Sequence, residues 1–229
     1  MGYQWSRNAA HIQSLFQPWN SEDGWDESSV HSAEQAISIR FPFILRNYYL
    51  SWGKRVDFNR SNEILLDPKD TFERHGHLVF CIENQAVYFW GIPLNQLGSA
   101  DPPVNFIYND ETDITWKPSH KLLTSFLDAL LYNHAFTKGA AHGATIRVPF
   151  EKWNSAEQLV RSSYQKLQLD SMIWGIRPSE DFDRWTLYIA DGIAVDISFI
   201  SIGLFAVARD MRSLQDLESL LSLPLEEVW

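Results

Sequence analysis

The chain has 229 residues, a length that fits one or two domains, with one domain spanning 1–229 the simpler expectation. Its 19 Lys and Arg stand against 29 Asp and Glu, a net charge of −10, which argues against a nucleic-acid binder because that task needs a basic patch to displace counterions. The single cysteine, Cys81, excludes an internal disulfide and a cysteine-type zinc site, and fits a reducing, cytoplasmic home.

A folded chain of this size buries about 70–75% of the surface its unfolded form exposes, so it needs no staple to fold. The opening MGYQWSRNAAHIQ lacks the apolar core of a signal peptide. No apolar run reaches the roughly eighteen residues of a membrane span, so no membrane partner is expected. Acidity suits a basic protein partner, and it equally suits plain solubility.

In chain order, Trp5, Ala9, Ile12 and Phe16 have helical spacing over Tyr3–Gln17, and Pro18 stops that helix. Trp19–Val30 carries Glu22, Asp23, Asp26 and Glu27 with no basic residue, and reads as an acidic loop. Arg40–Gly53 is the clearest short helix, with Pro42 in its first turn, Gly53 at its end, and Phe41, Ile44, Leu45, Tyr48 and Trp52 on one face. Asp57–Asn62 reads as polar turn and Ile64–Leu66 as extended. Leu78–Ile82 and Ala86–Ile92 form a hairpin about Glu83–Gln85. Alternation puts Leu78, Phe80 and Ile82 on one face and Val79 and Cys81 on the other; both faces are apolar, so this strand is central.

Val104–Tyr108 is a strand, Asn109–Asp113 an acidic turn, and Ile114–Trp116 extended. Ser119 is placed to cap a helix whose stripe is Leu122, Leu123, Phe126, Leu127, Leu130 and Leu131. Lys138–Ala144 is small and flexible in composition and is the best internal linker. Ser155–Leu169 is a weaker helix with capping-box spacing at Ser155 and Gln158. Short strands follow: Met172–Ile176, then Arg184–Ala190 and Ile193–Phe199 about the Asp191-Gly192 turn, then Gly203–Ala208, before a helix near Ser213–Leu221. Strands joined mainly by hairpins indicate α+β with a mostly antiparallel sheet.

The catalytic motifs of phosphate loops, nucleophile elbows and zinc proteases are absent. His75 and His77 would share a face if extended, but no third ligand has metal spacing, and exposed loop histidines are the expectation; no metal or cofactor is expected. Glu83 and Asp101 could pair for acid–base work, although turn residues tying down nearby backbone is the favoured assignment for Glu83, Asn84 and Gln85. No enzyme activity is expected. From His75 to Trp116 the acidic residues Asp110, Glu111 and Asp113 have no Lys or Arg between them, and Glu180, Asp181 and Asp183 precede Trp185. Acidic loops beside aromatic anchors suit docking onto a basic partner, so Asp110, Glu111, Asp113, Trp116, Glu180, Asp181, Asp183 and Trp185 are the candidate contact residues; solvated loop tips are the alternative.

PFILRNYYLSWG, NRSNEILLDP, HLVFCIENQAVYFWGIPL, DPPV and LLTSFLDALLYNHA together resemble the SUKH superfamily in order and spacing over Arg40–Ala135. The matching positions are Pro42, Leu45, Arg46, Tyr48, Tyr49 and Gly53, then Leu65, Leu66 and Pro68. The hairpin supplies Glu83, Asn84, Gln85, Trp90 and Gly91, followed by Asp101, Pro102, Pro103 and Val104, and then Ser125, Phe126 and Leu127. Ile64 after Glu63 departs from the polar-then-Leu start more usual there. The resemblance implies an α+β fold with a twisted, largely antiparallel sheet packed on helices. It implies a bacterial immunity protein of a polymorphic toxin system, which binds and silences a cognate toxin, often a nuclease, in the cytoplasm. The alternative is a regulatory or scaffold interaction module, as in a eukaryotic branch that includes a cell-wall synthesis regulator. The matched residues look architectural and are not carried over as a binding site.

Overall fold

The computed structural model describes residues 6, 8–16, 18–109, 114–167, 187–197 and 203–229. Four helices come first: α1 (Ala9–Leu15), α2 (Glu27–Ile37), α3 (Phe43–Trp52) and α4 (Val56–Asn59). Six strands follow: β1 (Glu63–Leu65), β2 (Phe72–Arg74), β3 (His77–Glu83), β4 (Tyr88–Pro93), β5 (Val104–Tyr108) and β6 (Lys117–His120). Then come α5 (Leu123–His134), β7 (His142–Arg147), α6 (Trp153–Ser163), β8 (Gln165–Leu167), β9 (Leu187–Ala190), β10 (Ile193–Asp196), β11 (Gly203–Ala208) and α7 (Met211–Leu221). The fold is α+β, and every strand pairing among the described residues is antiparallel.

Those strands form two sheets. One has the order β1-β3-β4-β5-β6, with β2 sharing the β1 edge of β3; the other runs β7-β11-β10-β9-β8. Alternation in β11 sends Leu204, Ala206 and Ala208 to a core with α6 and α7, and Val207 to the main core on the other side. That main core packs α1, α3 and α5 between the sheets and joins Ile12, Leu45 and Leu130 to Leu187, Ala194 and Val207. The layers therefore run helices, second sheet, helices, first sheet. On its far side, among the described residues, the first sheet carries a small cluster, Val79, Phe89 and Ile107, with Leu66, Phe72, Ile82, Ala86 and Trp116 packed around it.

Several expectations are corrected. The register between β3 and β4 shifts between Val79 and Cys81, a β-bulge at Phe80. One extra residue reverses the alternation beyond it. Phe80 and Cys81 both enter the main core, and Ile82 joins Val79 on the far face. The turn spans Asn84–Val87 and not Glu83–Gln85, because Ala86 takes φ 58 and Val87 leaves the ladder. A second hairpin, not anticipated, turns at His75-Gly76: φ is 46 and 76, and Arg74 pairs with His77, a two-residue turn with both centres left-handed. The Asp191-Gly192 hairpin forms as expected, with Ala190 opposite Ile193.

The acidic stretch Trp19–Val30 is not a free loop. Its second half opens α2, where the Asp26 carboxylate accepts the Ser29 N–H at 2.7 Å as an N-cap. Its first half lies on α3: the Trp25 N–H donates to Tyr49 O at 2.9 Å, and the Trp19 indole donates to Ser51 O at 3.1 Å. Asp57–Asn59, expected as turn, belongs to α4. Ser119 sits in β6 and not at the α5 cap, and Leu122 of the expected stripe is 42% exposed. Lys138–Ala144 is no linker: Ala135–Gly139 continues α5 as a π-turn, and His142–Ala144 lie in β7. Helix α6 ends at Ser163, so Ser155 is inside it. The expected strand Met172–Ile176 lies outside the described residues.

The outer edge of β7 is occupied by residues 226–229. Thr145 and Glu226 exchange both backbone hydrogen bonds, at 2.9 and 2.7 Å, and Gly143 and Trp229 do the same at 3.0 Å each. Gly143 is required there, since a Cβ would lie 2.3 Å from the Trp229 indole.

His11 on α1 ties the layers together. Carbonyls only accept, so its Nε2–H donates to Ala190 O at 2.9 Å and Ile193 O at 3.1 Å, while Nδ1 accepts from the Tyr132 hydroxyl at 2.8 Å. Burial lowers its pKa below 6.5, against a smaller opposing pull from these carbonyls and Asp191. The unfolded chain therefore binds this proton more readily than the folded one. His11 contributes stability that is full above pH 6.5 and is lost as pH falls through the lower folded value. The urea midpoint of the wild type is expected to fall on acidification from pH 6.5, and His11→Gln to flatten that slope. Equal slopes in the two proteins would remove His11 from the account.

Candidate partner-binding surface

The residues of the family-like signature build the fold. Leu45, Tyr48 and Tyr49 are fully buried on α3; the Tyr48 hydroxyl donates to Asn59 Oδ1 at 2.9 Å and that of Tyr49 to Leu66 O at 2.9 Å. Pro42 opens α3 as its N-cap. Gly53 closes it at φ −63, so its glycine is required by space and not by backbone: a Cβ would lie 2.5 Å from Trp25 Cδ1. Glu83 Oε2 accepts the N–H groups of Gln85 at 2.9 Å and Val87 at 3.2 Å, and Asn84 N–H bonds Asn62 O at 2.7 Å. The Asp101 carboxylate reaches across to α5, accepting the Thr124 N–H at 2.9 Å and the Thr124 hydroxyl at 2.7 Å. It is a helix cap supplied from a distant segment, of a kind worth about 0.5–2 kcal/mol. Pro102 is buried and Pro103 partly so, which holds that segment in place. Glu83 and Asp101 are thus each engaged separately, and the structure does not bring them together as an acid–base pair.

Of the eight candidate contact residues, Trp116 is described; Asp110, Glu111, Asp113, Glu180, Asp181, Asp183 and Trp185 lie outside the described residues. Trp116 is not a free anchor. Its ring stacks on His77 at 4.1 Å with the planes 15° apart, and it lies over Gly91, where a Cβ would come within 2.9 Å of its Cη2. This explains the Trp-Gly pair of β4: Trp90 fills the main core, and Gly91 leaves room for Trp116 on the opposite face. A glycine inside a strand signals such close approach.

His77 is held neutral by its surroundings. Its Nε2 accepts from the Asn105 side-chain amide at 3.0 Å, its Nδ1–H faces His75 O at 3.2 Å, and burial lowers its pKa. His75 sits in the hairpin turn, so the two histidines do not converge, and among the described residues no three His, Cys, Asp or Glu side chains gather as a metal site.

The far face of the first sheet is covered by side chains of its own strands and loops: Val79, Phe89 and Ile107 are 0%, 7% and 1% exposed beneath Leu66, Phe72, Ile82, Ala86 and Trp116. Among the described residues no helix contributes to this cluster. Arg74 lies 4.8 Å over the Phe89 ring and donates to Asn109 Oδ1 at 2.8 Å, while Val87 and Ile114 at the rim are 42% and 58% exposed. Asn109 and Ile114 are the described residues flanking Asp110–Asp113. Exposed apolar side chains, Val87, Tyr108 and Ile114, thus lie near the points where the acidic stretch leaves and rejoins the described chain. Reasoning from sequence missed the far-face cluster because the bulge at Phe80 hides which residues share it.

Among the described residues no helix is long and apolar enough to cross a membrane. Comparison with protein-family profiles, curated proteins and solved structures finds no match to this chain.

Proposed function

We propose that the chain is a non-catalytic immunity protein that binds a cognate bacterial toxin, of basic nuclease type, and occludes it one-to-one in the cytoplasm. The observation that carries this is the order and spacing of the SUKH-like segments over residues 40–135. The net charge of −10 supports a basic partner, since a nuclease that grips phosphate presents the opposite sign. The signature carboxylates, spent on a turn and a helix cap, support binding over catalysis. Exposed Val87, Tyr108 and Ile114, near the points where the acidic stretch leaves and rejoins the described chain, support this region as the contact surface.

Binding is tested with the product of the neighbouring gene. Raising salt is expected to slow association far more than it speeds dissociation, because long-range attraction acts on the encounter. A salt-independent on-rate would overturn the charge-matching part. Absence of any binding to the neighbouring product would overturn the pairing and favour the regulatory-module reading.

A further inference from the structure

A concave surface lies on the α2–α3 side of the chain. It runs between residues 38–43, which join α2 to α3, and residues 94–100, which follow β4. Its volume is about 650 Å³, and a further hollow of about 320 Å³ shares Arg40 and Arg46 with it and continues along α2. Ile39, Phe43, Leu94 and Leu97 make the lining apolar, and Phe43 is 59% exposed.

Both walls are fixed in place. The buried Glu34 accepts the Phe41 N–H at 2.9 Å, and Ser38 holds a left-handed turn at φ 56. On the other side Ile44 N–H donates to Ala100 O at 3.2 Å, next to the Asp101 cap of α5. A groove built this way costs little ordering when a ligand enters.

Two arginines, Arg40 and Arg46, line it, and one of them is uncompensated among the described residues. Arg46 is already held by Glu27 at 2.5 Å and lies 3.8 Å from Glu34. Arg40 is exposed, and its side chain makes no ion pair among the described residues. A guanidinium without a carboxylate, beside an apolar lining, matches a ligand that carries both complements.

We propose that this groove is a separate protein-interaction site for an extended peptide segment in which an aromatic or aliphatic residue stands next to a carboxylate. The apolar side chain fills the space between Phe43 and Leu97, and the carboxylate meets Arg40. An extended segment fits better than a compact ligand because the two hollows run on from one another. The proposal does not depend on the toxin reading, since a basic partner would avoid Arg40.

The test uses the whole chain and fluorescein-labelled hexapeptides containing Phe-Asp or Leu-Glu, each paired with its Phe-Asn or Leu-Gln counterpart, by fluorescence polarisation. The acidic peptides are expected to bind at least about tenfold more tightly than the amides, as a lost charge-assisted hydrogen bond implies. Arg40→Glu and Phe43→Ser are each expected to weaken binding by a similar factor; both side chains are exposed, and an unchanged circular dichroism spectrum verifies the fold. Amide shifts on titration are expected to cluster at residues 38–46 and 94–100. Equal affinity for acidic and amide peptides, no effect of Arg40→Glu, shifts elsewhere, or no saturation by roughly 1 mM peptide would each overturn the proposal.

Discussion

Replacing His134 by alanine is expected to cost about 3–5 kcal/mol of stability, from the cavity left at a fully buried ring and the buried Phe58 carbonyl that loses its donor. His134 and Glu63 are both fully buried, with Nε2 3.6 Å from Glu63 Oε2. The imidazole Nδ1–H donates to Phe58 O at 2.7 Å, and Asn133 donates to the same Glu63 Oε2 at 2.7 Å. Among the described residues neither Glu63 Oε1 nor His134 Nε2 has a hydrogen-bond partner, so the Asn133 amide supplies the carboxylate's one hydrogen bond and the imidazole lies beside it. The pair joins the end of α4, the start of β1 and the last turn of α5. Urea unfolding followed by circular dichroism measures the loss. Glu63→Met with His134→Leu is expected to recover much of it, since an apolar replacement of a buried pair is often neutral. A His134→Ala variant within about 1 kcal/mol of the wild type would show that the buried ring carries little.

Gly24→Ala is the second large effect, and it is steric. A Cβ at Gly24 would lie 1.8 Å from Leu50 O and 2.5 Å from Leu50 C. These are backbone atoms of α3, which no side-chain rotation can move. The methyl is expected to lift residues 19–25 off the helix and to break the Trp25-to-Tyr49 bond at 2.9 Å and the Lys54-to-Asp23 bond at 2.8 Å. The ion pair of Asp23 with the buried Arg55, at 3.6 Å, would go with them. A loss of about 3 kcal/mol, the upper end of ordinary overpacking, is expected in thermal unfolding, together with faster amide exchange at Trp25 and Lys54. Unchanged stability and unchanged exchange would mean that this stretch does not depend on its seat.

Much of the architecture was legible because it follows from local pattern. The apolar stripe from Leu123 to Leu131 gave α5, the run Val104–Tyr108 gave β5 to the residue, and Asp191-Gly192 gave its hairpin. What escaped was set by contacts distant in sequence or by a single displaced residue. Helix α2 has few apolar positions, and its start is written in the Asp26–Ser29 cap, easily taken for loop chemistry. Nothing near Thr124 signals that Asp101 caps it. The bulge at Phe80 leaves no mark in a strand apolar on both faces, so Ile82 was assigned to the wrong side. The acidic residues around Trp116 suggest an anchor, whereas Gly91 holds the better clue, a gap that an indole fills.

The strap of residues 226–229 along β7 has a consequence for how the molecule assembles. The first sheet is a near-continuous meander whose strands all lie between Glu63 and His120, so its contacts are short in sequence and suited to early formation. Strand β7 is different: one neighbour is β11, at residues 203–208, and the other is this strap. Until both have emerged from the ribosome, β7 is a bare template on which a stray strand could settle. The half that carries the family-like signature can thus mature while its companion sheet waits, and the pairing of Trp229 across Gly143 closes the exposed border.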